Sequence, residues 1–186
     1  MRALIAGLQD QMRLALSSDV RSPGASQRPY SGVLVLGMGG SGIGGAVMAD
    51  MLRGTSRVPI MAHADQRLPG WVDEECLVVA SSYSGNTEET LAALAMAEER
   101  GCHLAAVTSG GALWTKAESN GWPTVMMVGG HPPRSQFGQS FLGLANLLQH
   151  LGVLRASDWQ ALGRAAEAMD LVSCEARGES LSLIHI

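Results

Sequence analysis

Apolar residues fall along the chain in two kinds of run. Val33-Leu34-Val35-Leu36, Val58 to Ala62, Cys76 to Ala80, His103 to Val107 and Thr124 to Val128 are short and nearly continuous. Such runs suit strands buried on both faces. Between them the spacing becomes helical. Leu4, Leu8, Met12 and Leu16 recur every four residues and with Ile5 predict an N-terminal amphipathic helix. Gly42 to Arg53 predicts a helix closed by Gly54, with Met38, Met48 and Met51 as core filling. Thr87 to Arg100 is a further helix, with Glu88 and Glu89 in its first turn, Arg100 in its last and Gly101 beyond. A short helix is expected around Leu113–Ser119. Phe137 to Leu151 places Phe141, Leu144, Leu148 and Leu151 on one side of another helix. Asp158 to Cys174 predicts a last one, capped by Ser157.

Strand and helix thus alternate through the middle of the chain. That order implies an α/β fold: a doubly wound, five-stranded parallel sheet in an α/β/α sandwich, with ligands at the carboxyl ends of its strands. The expected division is an N-terminal helix over 1–17, a Ser-, Arg-, Pro- and Gly-rich linker over 18–32, the sandwich over 33–153 and a helical connection over 154–180.

Composition narrows the function classes. A chain of 186 residues with 46% hydrophobic and 16% charged residues is globular by composition. The net charge of −4 and the single lysine, Lys116, argue against nucleic-acid partners and anionic membrane surfaces. No run approaches the length of a membrane span, and Gln9, Asp10, Gln11 and Arg13 interrupt the N-terminus too early for a signal peptide. Cys76, Cys102 and Cys174 show no CxxC spacing, which fits reduced thiols, a cytoplasmic location and no metal site.

Glycine is in excess, 23 residues, and clusters where strands end. Gly37-Met38-Gly39-Gly40-Ser41-Gly42-Ile43-Gly44-Gly45 joins the first strand to its helix. Glycines here let a backbone and a helix N-terminus approach an anion. The same residues contain a GxGxxG, the mark of a dinucleotide fold, although the acidic partner would have to be Asp65, beyond a bend. A tight structural turn is the third reading. Ser81-Ser82-Tyr83-Ser84-Gly85-Asn86-Thr87 ends the third strand. Its hydroxyls at Ser82, Ser84 and Thr87 could form a neutral cradle for a phosphate, or merely cap the helix that follows. Pro132-Pro133-Arg134-Ser135 follows the fifth strand, and Arg134 there is either a surface cation or a fork for an oxyanion.

Together, GMGGSGIGG at 37–45, SSYSGNTEET at 81–90 and PPRSQFG at 132–138 resemble the sugar isomerase (SIS) domain, and within it the bifunctional phosphoglucose/phosphomannose isomerase family. The resemblance spans about residues 30 to 150. It implies that Gly40 and Ser41 contact substrate, that Ser82, Ser84 and Thr87 cradle its phosphate, and that Arg134 stabilises an enediolate. It implies interconversion of glucose 6-phosphate or mannose 6-phosphate with fructose 6-phosphate, without a metal or nucleotide cofactor, by a protein that is a homodimer at full length.

The chain also departs from that pattern. The family has two SIS domains, and its general-base Glu in an Asn-Glu-Asn-like stretch, its ring-opening His in an Asn-His stretch and its late Lys have no counterpart here. Glu175 and Glu179 lack flanking asparagines, and His63, His103, His131 and His150 stand in other places. The last six residues, Leu181-Ser182-Leu183-Ile184-His185-Ile186, match the translation of a transposase-library adapter. The expectation is therefore a reading frame interrupted near Ser180, and a piece that binds a phosphosugar weakly without turning it over. The rivals are a non-catalytic phosphosugar-binding SIS module or regulator, and an NAD-dependent oxidoreductase.

Overall fold

The computed structural model describes residues 7–22 and 28–168. The expected roles of Cys174, Glu175, Glu179 and the tail at 181–186 lie outside the described residues.

Among the described residues six strands form one sheet, in the spatial order β1 (Val20–Arg21), β6 (Thr124–Met126), β5 (His103–Thr108), β4 (Leu77–Ser82), β2 (Val33–Leu36) and β3 (Ile60–His63). The five expected strands are β2, β3, β4, β5 and β6, and all pair in parallel. The sixth, β1, lies in what the sequence marks as linker and adds an antiparallel edge to β6 through Val20↔Val125. The helices are α1 (Leu8–Leu16), α2 (Gly39–Leu52), α3 (Glu88–Glu99), α4 (Gly111–Asn120), α5 (Phe137–His150) and α6 (Ala156–Ala168). A 3-10 turn occupies Pro133–Ser135.

The continuous apolar strands have the predicted consequence. Every residue of β2 and β4 is buried. Successive side chains alternate between two cores. Val33, Val35, Leu77, Val79, Val107 and Val125 share one cluster with Met48 of α2 and Leu144, Leu147 and Leu148 of α5. Leu34, Leu36, Val78, Ala80, Leu104 and Ala106 share the other with Ala93, Leu94 and Ala97 of α3 and Leu113 of α4. Helix α1 lies against α5 so closely that a Cβ on Gly138 would stand 2.9 Å from Leu8 Cδ1. From there Gln11 donates through Nε2 to the Ser135 carbonyl at 2.8 Å.

Two local expectations are corrected. Helix α6 starts at Ala156, so Ser157 lies inside it rather than capping it; Arg155 and Asp158 bracket its start with paired hydrogen bonds of 2.8 and 3.0 Å. Met48 is core filling, but Met51 is 41% exposed. It follows Ile43 and Val47 at four-residue spacing on the outer side of α2, and both of those are exposed as well.

The strand order sets the position of the candidate site. From β2 the chain crosses to β3 at one edge, then returns to the other side of β2 and builds β4, β5 and β6 outward. The reversal lies between β2 and β4, and the loops leaving their carboxyl ends diverge toward helices on opposite faces. A crevice opens at such a switch point.

Candidate functional site

Three segments meet at this switch point: the loop between β2 and α2, the loop between β4 and α3, and the segment after β6.

The first is shaped by close backbone approach. A Cβ on Gly42 would lie 2.5 Å from the Gly37 carbonyl oxygen, so no side chain fits. The α2 N-terminus begins there, behind Met38, with no side-chain cap on its free N–H groups. Ser41 is partly buried and laced to the second loop. The Tyr83 N–H donates to its Oγ at 3.1 Å, and Ser81 Oγ donates to its carbonyl at 3.2 Å.

The second loop turns at Gly85, whose φ of +69° is left-handed backbone. Ser82 is buried at the last position of β4. Its Oγ accepts the Gly85 N–H at 3.2 Å and shares a 2.9 Å bond with Thr87 Oγ1. Thr87 is therefore the N-cap of α3 by position, yet its hydroxyl makes no cap bond. Ser84 is exposed and accepts the Asn86 N–H at 3.2 Å. Asn86 Oδ1 in turn accepts the Ala112 N–H at 2.9 Å, at the start of α4. The hydroxyls thus close a small ring around the turn while two helix N-termini, of α2 and α3, open beside it without side-chain caps. Neutral donors arranged in this way can hold an anion.

The third segment brings the cation. Arg134 is exposed on its 3-10 turn, and its backbone lies against the first loop. A Cβ on Gly40 would stand 3.4 Å from Arg134 Cα and 3.5 Å from its N. Among the described residues the Arg134 guanidinium forms no ion pair.

All six sequence-predicted residues, Gly40, Ser41, Ser82, Ser84, Thr87 and Arg134, therefore lie at one end of the sheet. Tyr83 was missed as a contributor. Its hydroxyl donates to the Val128 carbonyl at 3.1 Å and accepts the His131 N–H at 3.0 Å. An aromatic residue amid small hydroxyls was the available signal. Thr90, in the first turn of α3, carries a buried Oγ1 without a partner. Asp65, the acidic residue that a dinucleotide would need, accepts the Arg67 N–H at 2.9 Å in its own exposed turn.

The groups whose pKa values burial displaces most, Tyr30, Cys102 and His103, lie at the amino end of the sheet. Burial pushes the Cys102 thiol and the Tyr30 phenol up, and burial together with the charge of Arg28 pulls His103 down. Among the described residues no group of three or more His, Cys, Asp or Glu is placed to hold a metal, and no helix is long and apolar enough to cross a membrane.

No family model matches the chain. It is 40% identical over 128 residues to the bifunctional phosphoglucose/phosphomannose isomerase of Caldicellulosiruptor bescii, covering 69% of this chain and 38% of that protein. It is 37% identical over 132 residues to the same enzyme of Thermoplasma acidophilum, covering 70% and 40%. A D-glucosamine-6-phosphate 4-epimerase of Sulfolobus acidocaldarius is 34% identical over 135 residues, covering 72% and 41%. The chain thus spans about two fifths of the length of these curated relatives.

In fold it is similar to the C-terminal domain of glucosamine-fructose-6-phosphate aminotransferase from Francisella tularensis, with a TM-score of 0.71 at 13% identity over 94% of this chain and 56% of that one. It is also similar to the Vibrio vulnificus NanR protein complexed with ManNAc-6P, with a TM-score of 0.52 at 16% identity over 95% and 61%. Over about seven tenths of its length the chain is thus similar to bifunctional phosphoglucose/phosphomannose isomerases, and its six-stranded, mostly parallel sheet has the SIS fold.

Proposed function

We propose that residues 33–153 are the phosphosugar-binding domain of a sugar-phosphate aldose–ketose isomerase. Its substrates would be glucose 6-phosphate or mannose 6-phosphate, with fructose 6-phosphate as product. The observation that carries this reading is the packing of Gly40 on the Arg134 backbone, beside the Ser82–Thr87 ring. In this reading the packing sets an anion cradle beside Arg134, which forms no ion pair among the described residues.

The two parts suit two ends of one substrate. The phosphate dianion is held by hydroxyls and uncapped helix N-termini, where neutral donors bind it without a basic cluster. Isomerisation removes a proton from C2, passes through an enediolate and returns a proton to C1. The negative charge develops on oxygens at the far end of the sugar, where a guanidinium fork stabilises it more than it stabilises the substrate. Arg134 takes that role in this reading. A base, a ring-opening acid and the late lysine are not among the motifs of this chain, so the chain by itself is expected to bind and not to turn over.

The test is thermal unfolding with added ligands. Fructose 6-phosphate should raise the midpoint, because a ligand at a hundredfold excess over its Kd stabilises by about 2.7 kcal/mol. A rise with NAD and none with fructose 6-phosphate would overturn the reading in favour of an oxidoreductase. The second reading, a binding module without catalysis, is supported by the fold shared with NanR, a protein seen with a phosphosugar bound. A complete protein that binds fructose 6-phosphate but never exchanges its C1 proton with solvent would favour it.

A further inference from the structure

We infer that Tyr83 is a positioning residue, whose hydroxyl fixes the segment carrying Arg134 at a set distance from the phosphate cradle. The inference rests on the phosphosugar reading and adds to it the device that sets the spacing between its two charged ends.

Tyr83 sits in the middle of the hydroxyl loop, yet its own hydroxyl does not join the ring. The side chain is 8% exposed and runs through the core cluster beneath the segment after β6. There it makes two bonds to that segment, donating to the Val128 carbonyl at 3.1 Å and accepting the His131 N–H at 3.0 Å. Its backbone is anchored separately. The N–H donates to Ser41 Oγ, and the carbonyl accepts both the N–H and the hydroxyl of Ser109. One residue therefore joins the first loop, the loop after β5 and the segment after β6.

The spanned segment needs such a hold. Between Val128 and His131 lie Gly129 and Gly130, both exposed, and Gly130 has a φ of +89°. Two consecutive glycines give the backbone much freedom. Val128 is also held by its N–H on Gln139 Oε1 at 2.8 Å, and the far end by Arg134 on Gly40 and by Gln11 on the Ser135 carbonyl. Of the bonds from the cradle loop to the segment, those at the Tyr83 hydroxyl close the glycine pair from both sides. A guanidinium must be placed to within a fraction of an ångström to meet a developing oxyanion, and misplacement by about 1 Å can cost on the order of a hundredfold in rate.

Two probes separate the ends of the site. Inorganic phosphate needs only the cradle. 5-Phospho-D-arabinonate adds a carboxylate where the enediolate charge would develop, and so also needs Arg134. The chain should bind both, the acid more tightly. Tyr83→Phe keeps the buried ring and should bind phosphate within about twofold of the parent while losing at least tenfold for the acid. Arg134→Met should show the same selective loss, and the double variant little more. Equal binding of the acid by Tyr83→Phe and the parent would overturn the inference. So would an equal loss for both probes, since that marks general loosening. Binding of neither probe by the parent would mean failure of the phosphosugar reading itself, and the inference falls with it. Amide exchange needs no variant: the His131 N–H should be protected in the parent, although its residue is exposed, and an unprotected His131 amide would overturn the clamp directly.

Discussion

The hydroxyls of Ser82 and Thr87 share a 2.9 Å hydrogen bond across the turn that ends β4, so the residue placed to cap α3 leaves that helix uncapped. Each hydroxyl can exchange this bond for one to a phosphate oxygen, which bears full charge. Bonds to charged groups contribute about 1.5–3 kcal/mol, against about 1 for neutral pairs. Ser82→Ala and Thr87→Val should each weaken phosphate binding roughly tenfold. Calorimetric titration with inorganic phosphate checks this. Unchanged affinity in both variants would mean that the ring only shapes the turn.

Gly85 is the turn residue of that ring. Its backbone is left-handed, and a Cβ there would overlap the Gly110 carbonyl oxygen and lie 2.9 Å from Thr108 Oγ1. Strain at such a position costs about 1–3 kcal/mol before any clash is counted. Gly85→Ala should therefore destabilise the fold by roughly 3 kcal/mol or more. Urea denaturation reads this directly, and a loss under 1 kcal/mol would show that the turn can rearrange.

Thr90 makes the opposite prediction. Its buried Oγ1 has no partner, and an unsatisfied buried hydroxyl costs about 1–3 kcal/mol. Valine has the same shape without that group. Thr90→Val should raise stability by about 1 kcal/mol and leave phosphate affinity unchanged. A variant less stable than the parent would show that the hydroxyl is satisfied in solution.

Stability should also fall in mild acid through His103. Its Nε2 lies 3.4 Å from Arg28 Nη1, and the Tyr30 ring meets it edge-on at 5.5 Å. Burial first and the Arg28 charge second hold its pKa below the ordinary imidazole value, with Glu75 opposing. A base whose pKa is lowered by folding binds its proton more readily when unfolded. Its contribution is complete above the unfolded pKa of about 6.5 and is lost as pH falls through that value toward the lower folded one. Denaturation midpoints measured from pH 7.5 to 5 should decline less steeply in His103→Gln. Parallel profiles for the two proteins would exclude His103 as the cause.

Much of this was legible in the sequence because it follows from local rules. Unbroken apolar runs such as Val33–Leu36 are strands covered on both faces, and glycines and hydroxyls at strand ends mark where a parallel sheet exposes its loops. What escaped depends on tertiary pairing. Strand β1 is two residues long, polar in surroundings and held by β6, so it has no periodicity to read. The apolar exposure of Met51 cannot be told from burial by spacing alone, since all of α2 except Asp50 is apolar or small. Tyr83 reads as part of a hydroxyl loop; only the fold reveals that its ring reaches residues 45 and 48 positions further on.

The central claim is that three separate segments build one phosphosugar site, and chemical-shift mapping with fructose 6-phosphate tests it most directly. The account predicts that the amides of 37–45, 81–90 and 131–136 shift together, with one saturation curve, while those at the amino end of the sheet around His103 stay still. Shifts confined to one segment, or none with fructose 6-phosphate and a set around Asp65 with NAD, would contradict it.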